Sequence, residues 1–364
     1  MDILGATAAY EGWLGHFMSI VRPDLAEKHR MMSLAPFPFM RATFYRWCQV
    51  WREHAGEAAR AARVLAVGDL HLENFGTWRD ADGRLIWGIN DFDEATSLPW
   101  THDLVRLAVS AYLAIEGDHL KVRRRRACDA ILEGYSDGLA CDGLPFVLEE
   151  EHGWLRKIAT AELRDPTVFW RKMSALRTAR GIDRAAAQAI TAAMPARDLE
   201  LRFARRVAGL GSLGRPRFVG MASWGGGLVA REAKATAPSA VLWAAGAAPR
   251  ALSPRALSYT RIIDGAIRVP DPTLHVAGKW LLRRLAPHCT RIELSDLPTG
   301  SDEEHLLHAM GFETANVHLG TRGARKAIAR ELRGRDSSWL GDLAALLARE
   351  VVKDWNRWSK QTLH

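Results

Sequence analysis

Cysteine is scarce and scattered. The four residues, Cys48, Cys128, Cys141 and Cys289, form no CxxC pair, which argues against a zinc ribbon or a dithiol redox motif. Long hydrophobic runs are missing too. The longest, near residues 237–248, is Ala-rich and falls well short of the roughly 18–20 residues a membrane-spanning helix needs. The amino-terminal stretch MDILGATAAYEGW has no basic segment ahead of an apolar one, so no signal peptide is expected. A reduced, cytoplasmic protein with no membrane partner is the resulting expectation. No GxxxxGK[ST] segment occurs, which excludes the P-loop route to a nucleotide. Lysine is rare as well: only 9 of the 50 basic residues are Lys. Internal repeats and low-complexity linkers are absent.

What is present suits a globular enzyme. Of 364 residues, 48% are hydrophobic and 25% charged, which excludes disorder over most of the chain. The 14 Trp require a sizeable core or a stacking site. The net charge is +8, which admits an anionic ligand without identifying one. The densest basic cluster, KVRRRR at 121–126, reads either as a solvated helix face or as an anion contact.

Along the chain, residues 1–62 read as helices. Residues 64–67 form a short apolar strand, followed by the polar loop GDLHLENFG. A turn at Asp82–Gly83 precedes a second strand, 85–89, which ends at NDFDE. Helical periodicity runs from Asp103 to Ile115 and continues to about residue 195. After Arg206 the text reads as strand, Gly loop, strand, Gly turn, strand. Further β-like stretches fall at 262–269 and 280–285, and the pattern is helical again from Glu303.

The densest chemistry lies between Gly68 and Asp93. Asp69 and Asn74 stand on a loop after one apolar strand, and Asp91 and Asp93 follow another. A hairpin of this length brings the two polar ends together. It then offers hard oxygen donors plus a free carboxylate, the set that magnesium-dependent phosphoryl transfer requires. The D-x4-N spacing is that of the protein-kinase catalytic loop. His71, Glu73 and the His102–Asp103 pair admit a metal phosphohydrolase instead. Asp103, however, opens an amphipathic helix and reads as its cap. The second constellation is GLGSLG at 209–214, a GxGxxG. A dinucleotide site needs a helix directly after it, whereas RPRFVGMAS reads as β. This favours a hairpin loop folded over phosphates, with Gly209, Gly211, Ser212 and Gly214 as cofactor-binding positions. Lys234 follows on the third strand. Arg231 is its rival, because alternation puts the two on opposite faces. Arg41, Arg261, Arg268, Arg283 and Arg284 are further anion candidates. Trp78, Trp87 and Trp100 are candidates for packing or stacking.

GDLHLEN is close to the HGDLHxxN loop of aminoglycoside and choline kinases, and NDFDE resembles their metal segment. The stretches SLAPFPFMR, GDLHLENFG, INDFDEA, DLVRLAVS, GLGSLG and LLRRLAP resemble the bacterial family labelled domain of unknown function 2252. The resemblance spans roughly residues 28–360. It implies an α+β, two-lobed protein-kinase-like fold that is circularly permuted, because the catalytic loop precedes the Gly loop. The expected division is 1–195, helical with the catalytic and metal loops; 196–300, β-rich and nucleotide-binding; and 301–364, helices packing back on the first lobe. HLLHAMGFETANVHLGT, 305–321, looks like the helix that normally precedes a catalytic loop. An Asp-Leu at 103–104 would brace that loop. The resemblance thus implies ATP and Mg²⁺ as cofactors, Asp69 as catalytic base, and Asn74, Asp91 and Asp93 as metal ligands. The partners would be a nucleotide and a small hydroxylated acceptor rather than a protein or nucleic acid. Between Lys234 and Asp264 no acid is available to pair the strand Lys. A non-catalytic nucleotide-binding module and an AMP transferase therefore stay open as alternatives.

Overall fold

The computed structural model describes residues 1–149, 151–160, 165–252, 257–289 and 302–362. Among these, ten strands form three antiparallel sheets within a largely helical chain. β1 (Arg63–Ala66) pairs with β4 (Thr96–Pro99). β2 (Phe75–Arg79), β3 (Leu85–Ile89) and β5 (Phe146–Val147) form the second sheet, in that order. The third runs β6-β7-β8-β10-β9. Its members are β6 (Arg202–Arg205), β7 (Arg217–Trp224), β8 (Gly227–Ala235), β9 (His275–Ala277) and β10 (Trp280–Leu285).

The main core belongs to the helices. Trp100–Glu116 is buried along nearly its whole length, its polar side chains His102, Asp103, Arg106 and Ser110 included, so it sits at the centre. Around it pack Phe44–His54, Arg124–Ala140, Glu303–Leu319 and Trp339–Thr362. Trp87 and Trp100 are fully buried and Trp78 nearly so, which makes all three packing residues. Trp87 stacks on Phe75 and Trp100 on Tyr135. The expectation of a strand at 262–269 is overturned. The chain is helical over Leu257–Gly265, and Tyr259 and Ile262, three apart, bury one face of that turn. Packing of a helical face outweighed the β preference of the two isoleucines.

Two smaller cores flank the five-stranded sheet. On one face Ala233, Ala235, Trp280 and Leu282 meet Ala186, Ile190 and Met194. Helix Arg184–Ala192 lies so close here that a Cβ on Gly220 would stand 2.4 Å from Ile190. On the other face Val219, Met221, Ala230 and Leu285 meet Met173 of the helix Pro166–Ser174. The helices at 166–192 thus pack on the sheet, although they precede the expected boundary at residue 196. Among the described residues no helix is long and apolar enough to cross a membrane. The KVRRRR run is a solvated face: Lys121 pairs with Asp118, Arg124 with Glu116, and Arg126 with Glu304 at 2.7 Å.

Candidate functional site

The loop after β1 is fixed from beneath. Gly68 has φ +84°, and a Cβ there would come within 2.5 Å of the Glu94 carbonyl oxygen, so only glycine fits. The N–H groups of Val67 and Gly68 donate to the Asp103 carboxylate at 2.7 and 3.0 Å. His318 Nε2 donates to the same carboxylate at 3.1 Å, while its Nδ1 meets the Tyr135 hydroxyl at 2.8 Å. His102 accepts the Trp47 indole N–H at Nε2, which leaves Nδ1 as the donor towards Asp103. Burial would raise the Asp103 carboxyl, but the bonds from His102 and His318 hold it well below the usual range. The cap expected at Asp103 is therefore corrected. Pro99 precedes this helix with no side-chain cap, and Asp103, one turn in, braces the loop.

Asp69 projects from that loop. Its Oδ1 accepts Arg106 Nε at 2.8 Å and also Nη2. Arg106 is fully buried, with its guanidinium 4.9 Å from the ring centroids of both Phe44 and Trp47. Oδ2 points to the Gly loop: a Cβ on Gly211 would lie 3.7 Å from it. Burial pushes the Asp69 carboxyl up to about 6 against the pull of Arg106. A carboxylate poised there can orient a hydroxyl and take its proton near neutral pH.

The hairpin sets the remaining acids. Phe75 pairs with Ile89, and the Asn90 N–H donates to the Asn74 carbonyl at 3.0 Å, so Asn74 sits opposite Asn90 and, with Asp91 one residue on, lines the same cavity. Asn74 commits its Nδ2 to the Asp69 carbonyl at 2.8 Å, which leaves its side-chain oxygen as the acceptor end. Asp91 Oδ1 accepts the Asp93 N–H at 3.2 Å. Burial opposes its ionisation, yet Lys234, Arg283 and that N–H bring the carboxyl down to about 2. Asp93 Oδ2 lies 2.8 Å from Lys234 Nζ and 3.3 Å from Arg215, whereas Oδ1 is buried with no hydrogen-bond partner among the described residues. An orphaned buried carboxylate oxygen is expensive unless a cation meets it. Among the described residues no group of three or more His, Cys, Asp and Glu is placed to hold a metal. The donors here are two Asp and an Asn, a set that suits a hard cation whose remaining ligands are water and substrate oxygens.

The five-stranded sheet supplies the cations. Its register sets Arg217 opposite Lys234, and both Val219 and Arg283 opposite Glu232. With a side-chain period of two, Arg217, Glu232, Lys234 and Arg283 share one face. Lys234 is 2% exposed and its ion pairs go to Asp91, at 3.5 Å, and Asp93. Arg231 points to the opposite face, where its Nε donates to the Ala193 carbonyl. Asp264 is not among the partners of Lys234.

The loop at 209–214 joins β6 to β7 across these cations. Gly209 and Gly214 have φ +77° and +93°. Lys28 Nζ donates to the Gly211 carbonyl at 3.3 Å, and Ser212 Oγ accepts from Arg217 Nη2 at 2.8 Å. Asp69, Asn74, Asp91, Asp93 and Gly209 to Ser212 all line one cavity of about 740 Å³.

Sequence reasoning missed several members of that cavity. Lys28, Glu94, Arg206, Arg215 and Arg217 line it, and Arg106 stands behind Asp69. Arg215 and Arg217 flank the proline just after the Gly loop, and that adjacency was a usable signal. Lys28 and Arg106 lie on helices far from either loop in sequence. Of the other Arg candidates, Arg283 lines the cavity. Arg41 pairs with Glu73 at the cavity wall. Arg268 stacks on Trp78 and Phe92, and Arg261 is exposed. Arg284 contributes its backbone N–H to Thr273. Of the histidines in the phosphohydrolase alternative, His102 is spent inside the core, while His71 lines the cavity and accepts the Glu73 N–H at Nδ1.

A family model described as "Uncharacterized protein conserved in bacteria (DUF2252)" matches residues 21–143, the stretch that contains Asp69, Asn74, Asp91 and Asp103. No curated protein and no solved structure matches the chain.

Proposed function

We propose that the protein is an ATP- and Mg²⁺-dependent phosphotransferase with a two-lobed, circularly permuted, protein-kinase-like fold, acting on a small hydroxylated acceptor. The observation that carries this reading is Lys234. It lies on the third strand of an antiparallel sheet whose first two strands are joined by the Gly loop, and it reaches Asp91 and Asp93 beside Asp69 in one cavity. Protein kinases place their Gly loop, strand Lys and metal Asp in this relation. Permutation accounts for the chain order. Helix Glu303–Leu319 delivers His318 to Asp103 under the catalytic loop, although it lies over two hundred residues after that loop.

On this reading Asn74, Asp91 and Asp93 would hold Mg²⁺, which supplies charge neutralisation at the phosphates. Asp69 Oδ2 accepts the proton of the acceptor hydroxyl, while Arg106 keeps Oδ1 and fixes the carboxylate plane. Gly211 has no side chain, so the loop can close over Asp69 and exclude water. Catalysis is then mainly positioning and electrostatics.

The test is ATP turnover with Mg²⁺ across a panel of small alcohols, sugars and amino alcohols, with the nucleotide products identified. ADP should form, and its rate should rise with pH through about 6 as Asp69 loses its proton. Asp69→Asn should lower turnover by roughly 100-fold or more. An unchanged rate in that variant would remove Asp69 from the chemistry. An AMP adduct in place of ADP would convert the reading to adenylyl transfer.

A further inference from the structure

Three guanidinium groups converge on one carboxylate at the cavity wall. Glu232 is fully buried and accepts Arg206 Nη1 at 2.6 Å, Arg217 Nη1 at 2.9 Å and Arg283 Nε at 2.9 Å. Burial would raise the Glu232 carboxyl, but the three arginines hold it well below its usual range. It is therefore an anion, and a single one against three cations. Lys234 is the next cation on the same face, and it is already matched to Asp91 and Asp93. Among the described residues, four cations on this face (Arg206, Arg217, Arg283 and Lys234) meet three carboxylates (Glu232, Asp91 and Asp93), a surplus of one positive charge beside a cavity.

A purely structural network does not account for that surplus. Buried ion pairs are tolerated when charge is balanced and donors are satisfied. Here the donors are not used up. Among the described residues the side chain of Arg206 donates only through Nη1, and that of Arg283 only through Nε. Both side chains are about one-quarter exposed, and both residues line the cavity. Glu232 thus holds Arg206 and Arg283 by one nitrogen each and leaves the rest of those two forks free among the described residues. Arg217 connects this cluster to the Gly loop. Its Nη2 donates to Ser212 Oγ, and a Cβ on Gly209 would stand 3.1 Å from the same Nη2.

We propose that Arg206, Arg217 and Arg283, held in place by Glu232, form a clamp for a polyphosphate chain under the Gly loop. Planar forks that present paired N–H groups match phosphate oxygens bidentately, which a lysine cannot do. Glu232 acts as a positioning residue and touches no phosphate. Lys234 stays with the two aspartates, so metal-free recognition of the phosphates rests on arginine. This deepens the phosphotransferase reading by assigning residues to its phosphate-binding half. It also stands apart from that reading, because a clamp can bind phosphates without any transfer.

The test is isothermal titration of the full chain with inorganic tripolyphosphate, in EDTA and chloride buffer. Wild type should bind. The double variant Arg206→Gln/Arg283→Gln should lose at least tenfold in affinity. Arg231→Gln, on the opposite face, should stay within twofold, and Lys234→Met should lose less than the arginine pair. If the glutamine variant unfolds, Arg206→Lys/Arg283→Lys keeps the charge and removes the fork. It should retain the melting temperature of wild type while losing the same affinity. No binding by wild type, full binding by the folded arginine variants, or a larger loss from Lys234→Met would each overturn the clamp. Failure of the transfer reading is distinguishable: tripolyphosphate would then bind through the arginines while ATP and Mg²⁺ gave no ADP.

Discussion

Glu313 places a carboxyl in the centre of the molecule, where it accepts the Ile89 N–H at 3.1 Å and Asn316 Nδ2 at 2.8 Å. Burial pushes it up to about 7. Between about pH 4.5 and 7 the folded chain keeps a proton there that the unfolded chain has released. The contribution of this group to stability is therefore complete at low pH and is lost as pH rises through about 7. The shift is equivalent to about 3 kcal/mol. Urea unfolding of Glu313→Gln against wild type should show it. Between about pH 4 and about pH 8 wild type should lose roughly 3 kcal/mol relative to the variant. A constant difference across that range would refute the assignment. Legibility at this scale was uneven. Asp69, Asn74, Asp91 and Asp93 could be read because each lies in a short motif after an apolar strand. Arg283 was named only as one of five arginine candidates, and Arg106, Lys28 and the convergence of Arg206, Arg217 and Arg283 on Glu232 could not be read. Their roles come from helix packing and strand register, and an arginine in a helical or β pattern looks the same whether it meets solvent or a buried carboxylate.

Among elements, glycine sets the closest approaches. Helices Arg124–Ala140 and Glu303–Leu319 cross so tightly that a Cβ on Gly134 would lie 1.8 Å from the His308 carbonyl oxygen, and one on Gly311 2.1 Å from that of Ile131. Gly134→Ala must push the helices apart, at a cost of about 3 kcal/mol. Calorimetry should record a clearly lowered melting temperature; a wild-type value would contradict the crossing. Gly68→Ala adds a Cβ against the Glu94 carbonyl at a positive φ, and should cost about 3 kcal/mol. Because Gly68 precedes Asp69, this variant should also lose turnover at temperatures where it remains folded. Retained turnover would show that the loop tolerates the shift. The Gly68 turn was legible from its GDLH setting. Gly134 and Gly311 were not, since glycine inside a helical pattern marks no partner until the two helices meet. Residues 262–269 misled for a related reason. Two adjacent isoleucines suit a strand, and the alternative became visible only through the buried pair Tyr259 and Ile262.

Over the whole molecule, the order of helical block, β-rich block and helical tail was readable from composition and periodicity. The text after Arg206, read as strand, Gly loop, strand, Gly turn, strand, gave β7 and β8 where expected, while the first strand, β6, lies just before it at Arg202–Arg205. The pairings β1–β4 and β3–β5 were not readable, because such short edges owe their existence to the helices around them. Nor was the return of helix Glu303–Leu319 to Asp103 readable from periodicity, which carries no long-range information; the likeness of 305–321 to a helix preceding a catalytic loop supplied that expectation. On the proposed function, two loops from one hairpin and one face of a sheet would form a single Mg²⁺–nucleotide site. Isothermal titration of ATP, with Mg²⁺ and with EDTA, on wild type and Asp91→Ala tests it most directly. Mg²⁺ should tighten ATP binding to wild type by at least about tenfold, and Asp91→Ala should bind ATP equally with and without the metal. Equal affinities in wild type with and without Mg²⁺, or a metal effect that survives Asp91→Ala, would contradict the account.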